Sequence, residues 1–131
     1  MKYLSNYMES AQTDAFNAAG SFFAFSNKQF EEKKKSGVNY VSLRAGLICP
    51  KDTADELLSD LDNISKAAIK QDIQENGKKA IIHRELANHE SQITMDITDT
   101  VAALDGYGIT QEEIQAEFKS YYQMCIDNDY F

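Results

Sequence analysis

Residues 53–76 read TADELLSDLDNISKAAIKQDIQEN, and their spacing decides the fold class. Ala54, Leu57, Leu58, Leu61, Ile64, Ala68 and Ile69 recur at three- and four-residue steps, the repeat of one face of an α-helix. Thr53 followed by Glu56 has the form of a capping box, in which the hydroxyl takes an orphan backbone N–H and the acid reaches back. Asn76-Gly77 supplies a stop, so the spacing predicts a helix from Thr53 to about Glu75.

The same spacing extends outward on both sides. Tyr3, Tyr7, Met8, Ala11, Ala15, Phe16 and Ala19 predict a helix over residues 2–19, with Gly20 as its C-terminal cap. Ser21 to Phe25 is an aromatic run that periodicity leaves open between a buried strand and a helical turn. Ser26 and Gln29 form a second capping box ahead of a short helix, Asn27 to Lys35. Residues 38–49, VNYVSLRAGLIC, are the best strand stretch, and Pro50 closes them. Further helices are expected over Lys78 to about Glu90, over Thr98 to Leu104, and after Thr110, whose pairing with Glu113 makes a third capping box. In that last helix Ile114, Phe118, Tyr121, Tyr122, Cys125 and Ile126 lie to one side, with acids in the first turn where the helix dipole favours them. The expected fold is mainly α (α+β). It is a single compact domain over 1–131, a bundle of five or six helices with a two-stranded β element at most.

Composition narrows function by exclusion. The 131 residues contain 43% hydrophobic and 26% charged residues, ordinary for a globular chain and unlike a disordered one. The longest apolar runs fall far short of the roughly 20 residues that cross a bilayer. The opening MKYLSNYMES has no apolar core of a signal peptide, so a cytoplasmic location is expected. The net charge of −8 is unevenly placed. Residues 1–84 carry 11 acids and 12 bases, and residues 85–131 carry 10 acids and the single base Lys119. Such a block repels nucleic acid and attracts basic protein surfaces. Glu112, Glu113, Glu117, Asp127 and Asp129 are the residues expected to meet a partner. The plainer reading is a solubilising acidic surface.

The densest polar cluster is HRELANHE, residues 83–90, with His83, Glu85, His89 and Glu90. Its histidines are six apart and project about 120° away from each other on a helix, so they do not share one metal ion. Glu85 and His89 at i, i+4 offer two ligands, with Asp96 or Asp99 as a third. The plainer reading is a Glu85–His89 surface pair and a half-buried His83 bonded to Glu90 or a carbonyl. The acids from Asp96 to Asp105 lack the calcium-loop pattern. Cys125 reads as a core thiol, and Cys49 before Pro50 is the more reactive candidate. Phosphate-loop, dinucleotide-binding and nucleophile-elbow motifs are missing, and no catalytic residue, metal or cofactor is assigned. The rings of Phe22, Phe23, Phe25 and Phe30 beside Lys33-Lys34-Lys35 admit base stacking, with core packing favoured.

Four stretches are familiar in combination: FFAFSNKQFEE at 22–32, RAGLICPK at 44–51, AIIHRELANHE at 80–90 and ALDGYGIT at 103–110. Together they resemble a family of small, acidic, uncharacterised proteins encoded by bacteriophages and prophages. The resemblance implies no activity or site residues. It implies a context, in which such accessory proteins bind a host or bacterial protein, including inhibition of defence nucleases, in the host cytoplasm. The expectation is a non-enzymatic inhibitor or modulator of a host protein, anti-CRISPR-like, whose acidic C-terminal face mimics nucleic acid. It is expected to bind neither nucleic acid directly nor membrane. The alternatives are a metal- or ligand-binding protein or enzyme using Glu85, His89 and Glu90, and a helical oligomer such as a homodimer built on Leu57, Leu61, Ile64 and Ala68.

Overall fold

The computed structural model describes all 131 residues. Seven α-helices and a three-stranded antiparallel sheet follow one another as α1 (Leu4–Ala19), β1 (Phe22–Phe23), α2 (Asn27–Lys33), β2 (Tyr40–Arg44), β3 (Leu47–Pro50), α3 (Lys51–Asn76), α4 (Lys78–Asn88), α5 (Ser91–Thr94), α6 (Thr98–Ala103) and α7 (Gln111–Asn128), with a 3-10 turn at Asp105–Tyr107. The class is the expected mainly helical one. Its β element is one strand larger than expected, because the aromatic run contributes β1. Phe22 and Phe23 pair with Ile48 and Leu47, which makes β3 the central strand in the order β1-β3-β2.

The chain gathers into two compact units, one of Ser5–Ala68 and one of Met1–Leu4 with Ile69–Phe131. In the first, Leu47, Cys49, Ala54, Leu57 and Leu61 form the core, with Ala15, Phe16, Ala19, Val41 and Leu43 packed around it. The inward residues of β3 alternate, as a strand covered on one face requires. Leu57 and Leu61, the residues that suggested a two-fold interface, are buried in this core. Ser26 accepts from the Gln29 amide at 3.2 Å, and the Gln29 side chain accepts from the Phe25 amide at 2.7 Å, so the second capping box is formed one residue offset.

The Thr53 cap is a correction. Helix α3 begins at Lys51, and the Thr53 hydroxyl donates instead to the Ala19 carbonyl at 2.7 Å, tying the end of α1 to the start of α3.

In the second unit, Ile81, Ile82, Leu86, Leu104, Tyr107, Ile109, Ile114, Phe118, Tyr121 and Cys125 make the core. Thr110 caps α7 as expected, accepting from the Glu113 amide at 3.2 Å. Helix α4 stops at Asn88, two residues before its expected end, because Glu90 turns into the left-handed region (φ 52°). Met95 does the same (φ 59°), and between these two residues lies α5, a four-residue helix with no counterpart in the sequence pattern. No helix is long and apolar enough to cross a membrane.

Candidate functional site

HRELANHE lies almost entirely on α4, and the structure divides it in three. The first part is a buried charge network. Arg84 donates from NH1 and NH2 to the two oxygens of Asp72 at 2.9 and 3.0 Å, from Nε to Glu85 at 2.9 Å, and to the Lys2 carbonyl at 3.0 Å. Asp72, on the last turns of α3, is fully buried, and it also accepts from the Tyr107 hydroxyl at 2.5 Å and the Asn76 amide at 2.7 Å. Burial alone would raise the Asp72 carboxyl. The hydrogen bonds from Arg84, Tyr107 and Asn76, with the Arg84 charge, outweigh burial and hold it below its ordinary value. Burial pushes the Tyr107 phenol up, and its bond to Asp72 pushes it further. Burial works against the Arg84 charge too, but its bonds to Asp72, Tyr107 and Glu85 raise its affinity for the proton.

The second part is His83. Its Nε2 lies 2.8 Å from Glu117 Oε2 on α7, and its ring stands edge-on to Tyr121 at 5.5 Å. The expected partner, Glu90 or a carbonyl, is therefore replaced by a residue 34 positions along the chain. The third part is the i, i+4 pair. Glu85 is buried rather than on the surface, and one of its oxygens is taken by Arg84. Its other oxygen is 3.6 Å from His89 Nε2, beyond hydrogen-bond reach, and that nitrogen is buried without a partner. Glu90 is exposed and belongs to the start of α5.

These groups are joined into clamps, and Glu117 of the His83 pair also lines a groove with residues of α4. Nowhere do three His, Cys, Asp or Glu side chains converge on a point where one ion would sit. Asp96, offered as a third ligand, is occupied locally: it accepts from the Thr98 amide at 2.9 Å and the Thr98 hydroxyl at 2.6 Å. Those bonds, the side-chain one first, lower its pKa. Cys125 is in the core as expected, and Cys49 is also fully buried, its sulfur 3.4 Å from the Thr53 hydroxyl. The thiol singled out for reactivity is thus fully covered.

The five acids of α7 and its C-cap are spread along the helix and have different neighbours. Glu113 lies 3.7 Å from Lys78, and with Glu117 it lines a groove of about 310 Å³ beside Lys78, Lys79 and Ile82. Glu112 borders a shallow depression with Lys119. Asp127 and Asp129 stand at the exposed far end, where Asp129 takes the left-handed cap position (φ 56°). There Ile126, Tyr130 and Phe131 are also exposed, and the Gln92 side chain bridges the Tyr121 hydroxyl and the Tyr130 carbonyl, both at 3.1 Å.

The aromatic run also divides. Phe22 and Phe30 each pack edge-to-face with Tyr40 and lie tilted beside one another, whereas Phe23 and Phe25 are exposed and stacked at 6.4 Å with their planes 12° apart. Of the neighbouring lysines, Lys33 is committed to the Phe23 carbonyl at 2.6 Å, and Lys34 lies over the Phe30 ring at 5.9 Å.

Sequence reasoning missed the Asp72–Arg84–Tyr107 network. One signal was available. Asp72 falls three and four residues after Ile69 and Ala68, so it occupies the apolar stripe of its helix, where a carboxylate requires a buried counter-charge.

Comparison with curated proteins and with solved structures gives no match. Residues 4–125 match the model of a family of unknown function (DUF7659), and the chain belongs to that family.

Proposed function

We propose that this chain is a phage-type accessory protein that binds a host protein through the exposed end of α7 and inhibits or modulates it, the fitting partner being a defence nuclease with a basic nucleic-acid groove. The observation that carries the reading is the placement of Asp127 and Asp129. They stand at the negative end of the helix dipole, with no base in the last turn. Each such acid destabilises its helix by about 0.3–1 kcal/mol. Asp127 recovers part of that cost through the Gln123 amide at 3.0 Å and Asp129 by taking the left-handed cap, and their exposed charge is left to face a cationic partner. The exposed Ile126, Tyr130 and Phe131 beside them add the apolar area that a protein interface needs at its centre. Phage origin belongs to the same proposal and rests on the resemblance of the four stretches quoted above.

Of the five acids expected to meet the partner, Glu113 and Glu117 face Lys78 and His83 and Glu112 lies in the first turn of α7, so the proposed contact narrows to Asp127 and Asp129. The test is binding of a purified CRISPR effector nuclease to the immobilised chain at 50 and 200 mM salt. Reversal of Asp127 and Asp129 to lysine is expected to weaken capture at least tenfold and to flatten its salt dependence. Unchanged capture and unchanged salt dependence would reject the acidic contact.

A further inference from the structure

The hairpin of β2 and β3 contains an irregularity with a chemical consequence. Val41 pairs with Cys49 and Ser42 with Ile48, but the next pair is Arg44 with Leu47, so Leu43 is an extra residue on β2. A bulge of this kind bends the strand and re-aims the side chain that follows. Directly paired residues share a face of a sheet, and Leu47 and Cys49 face the core. Without the bulge Arg44 would fall on the opposite face. With it, the guanidinium is turned to the side where α1 and α3 cover the sheet. Two residues with positive φ, Ala45 (47°) and Gly46 (81°), close the hairpin and fix this arrangement. Ala45 holds its conformation at a strain of about 1–2 kcal/mol, and local strain of this size concentrates at binding sites.

Arg44 lines a cleft of about 280 Å³ together with Met8 and Gln12 of α1 and Leu58, Leu61 and Ser65 of α3. Its guanidinium makes no ion pair or hydrogen bond, and the Gln12 amide and Ser65 hydroxyl are likewise unengaged. Asp62, the one carboxylate lining the cleft, is already paired with Lys66 at 2.8 Å. Three free polar donors thus surround an apolar floor, and one of them is a permanent cation with the planar fork that fits an oxyanion. Small-molecule sites join apolar surface to a few convergent polar groups, and here Met8, Leu58 and Leu61 supply the first and Arg44, Gln12 and Ser65 the second.

We propose that this cleft binds a small amphiphilic anion: a carboxylate or phosphate held by Arg44, Gln12 and Ser65, joined to a short apolar chain lying on Leu58, Leu61 and Met8. The site belongs to Ser5–Ala68 and is independent of the acidic contact on α7. The experiment is a titration of the ¹⁵N-labelled chain, followed by amide shifts, with octanoate, octyl phosphate, acetate and 1-octanol. Octanoate or octyl phosphate, whichever head fits, is expected to give saturable shifts at Arg44, Leu58 and Ser65. Acetate and octanol are each expected to bind at least tenfold more weakly, because each lacks half of the recognition. Arg44→Gln is expected to lower affinity at least tenfold while leaving the spectrum of the free chain otherwise intact, and Leu58→Ala to lower it several-fold. Absence of saturable shifts with both anions overturns the proposal, as does an Arg44→Gln variant that binds as tightly as the parent chain.

Discussion

Replacing Arg84 by methionine tests whether the buried network holds the Ile69–Phe131 unit together. The substitution keeps much of the volume and removes two bonds to Asp72, one to Glu85 and one to the Lys2 carbonyl. It leaves the Asp72 carboxylate fully buried, with Tyr107 and Asn76 as its remaining donors. Breaking a buried pair from one side destabilises by about 3–5 kcal/mol, a large part of the roughly 5–15 kcal/mol that a domain has. With a urea slope of about 2 kcal/mol/M, the midpoint followed by circular dichroism should fall by about 2 M.

Asp72→Asn should be milder, about 1–3 kcal/mol. Arg84 then retains the charge of Glu85 at 2.9 Å, whereas Asp72 has no second cation in the first variant. The two also differ with pH. The native Asp72 carboxyl titrates below its ordinary 3.8, so in acid the unfolded chain binds the proton first. Its stabilising share is present in full above pH 3.8 and is lost as pH falls through the native value, and Asp72→Asn removes that share of the acid sensitivity. A midpoint shift below about 0.5 M for Arg84→Met, or a larger loss for Asp72→Asn than for Arg84→Met, would refute this reasoning.

Three further expectations follow from local geometry. Tyr107 and Tyr121 have raised pKa values, both chiefly through burial, so stability should decline as pH rises above their ordinary 10, and absorbance at 295 nm should show part of the phenolate signal appearing only with unfolding. Ala45→Gly relieves a left-handed alanine and should raise stability by up to about 1 kcal/mol, the gain being reduced by the freer unfolded chain; a drop in melting temperature would contradict the strain. Cys49 and Cys125 are fully buried, so Ellman's reagent should label neither in the native chain within the time in which it labels both in urea, and prompt labelling of Cys49 would mean that the β3 core opens.

The helical part of this fold was legible because its signals are local. The stripe of 53–76, the Thr110 cap and the Asn76-Gly77 stop all act within a few residues of one another. What was illegible depends on distant partners. Phe22 and Phe23 are a strand only because Ile48 and Leu47 lie beside them, and the same two residues with another neighbour would continue a helix. Thr53 has the sequence of a cap, but the carbonyl of Ala19, brought close by the fold, competes for its hydroxyl and wins. Helix α5 has no glycine at either end, since Glu90 and Met95 take the left-handed role that sequence rules assign to glycine. The polar cluster was found and its wiring was not: His83 waits for Glu117 and Arg84 for Asp72, pairings that no spacing rule connects.

The net charge acquires a different meaning once its carboxylates are sorted by what they face. The unit containing Ile69–Phe131 has 12 acids against 6 bases and so carries −6 of the −8. Four of those acids are engaged internally, Asp72 and Glu85 by Arg84, Glu113 by Lys78 and Glu117 by His83. Arg84 and Lys78 each cancel one of these charges at distances beyond about 8–10 Å, the range over which salt screens what remains. An approaching protein therefore meets chiefly the acids with no basic neighbour, of which Asp127 and Asp129 stand beside exposed apolar side chains. Neutralising Glu117 to glutamine should loosen the contact between α4 and α7 and lower the unfolding midpoint, leaving salt-dependent capture of a cationic partner almost unchanged. Reversing Asp127 and Asp129 should do the opposite, removing capture while the midpoint holds or rises, because the dipole of α7 disfavours acids at that end. Measured together, the two variants separate charge that builds the fold from charge that faces outward, and equal effects of both on capture would show that only the total matters.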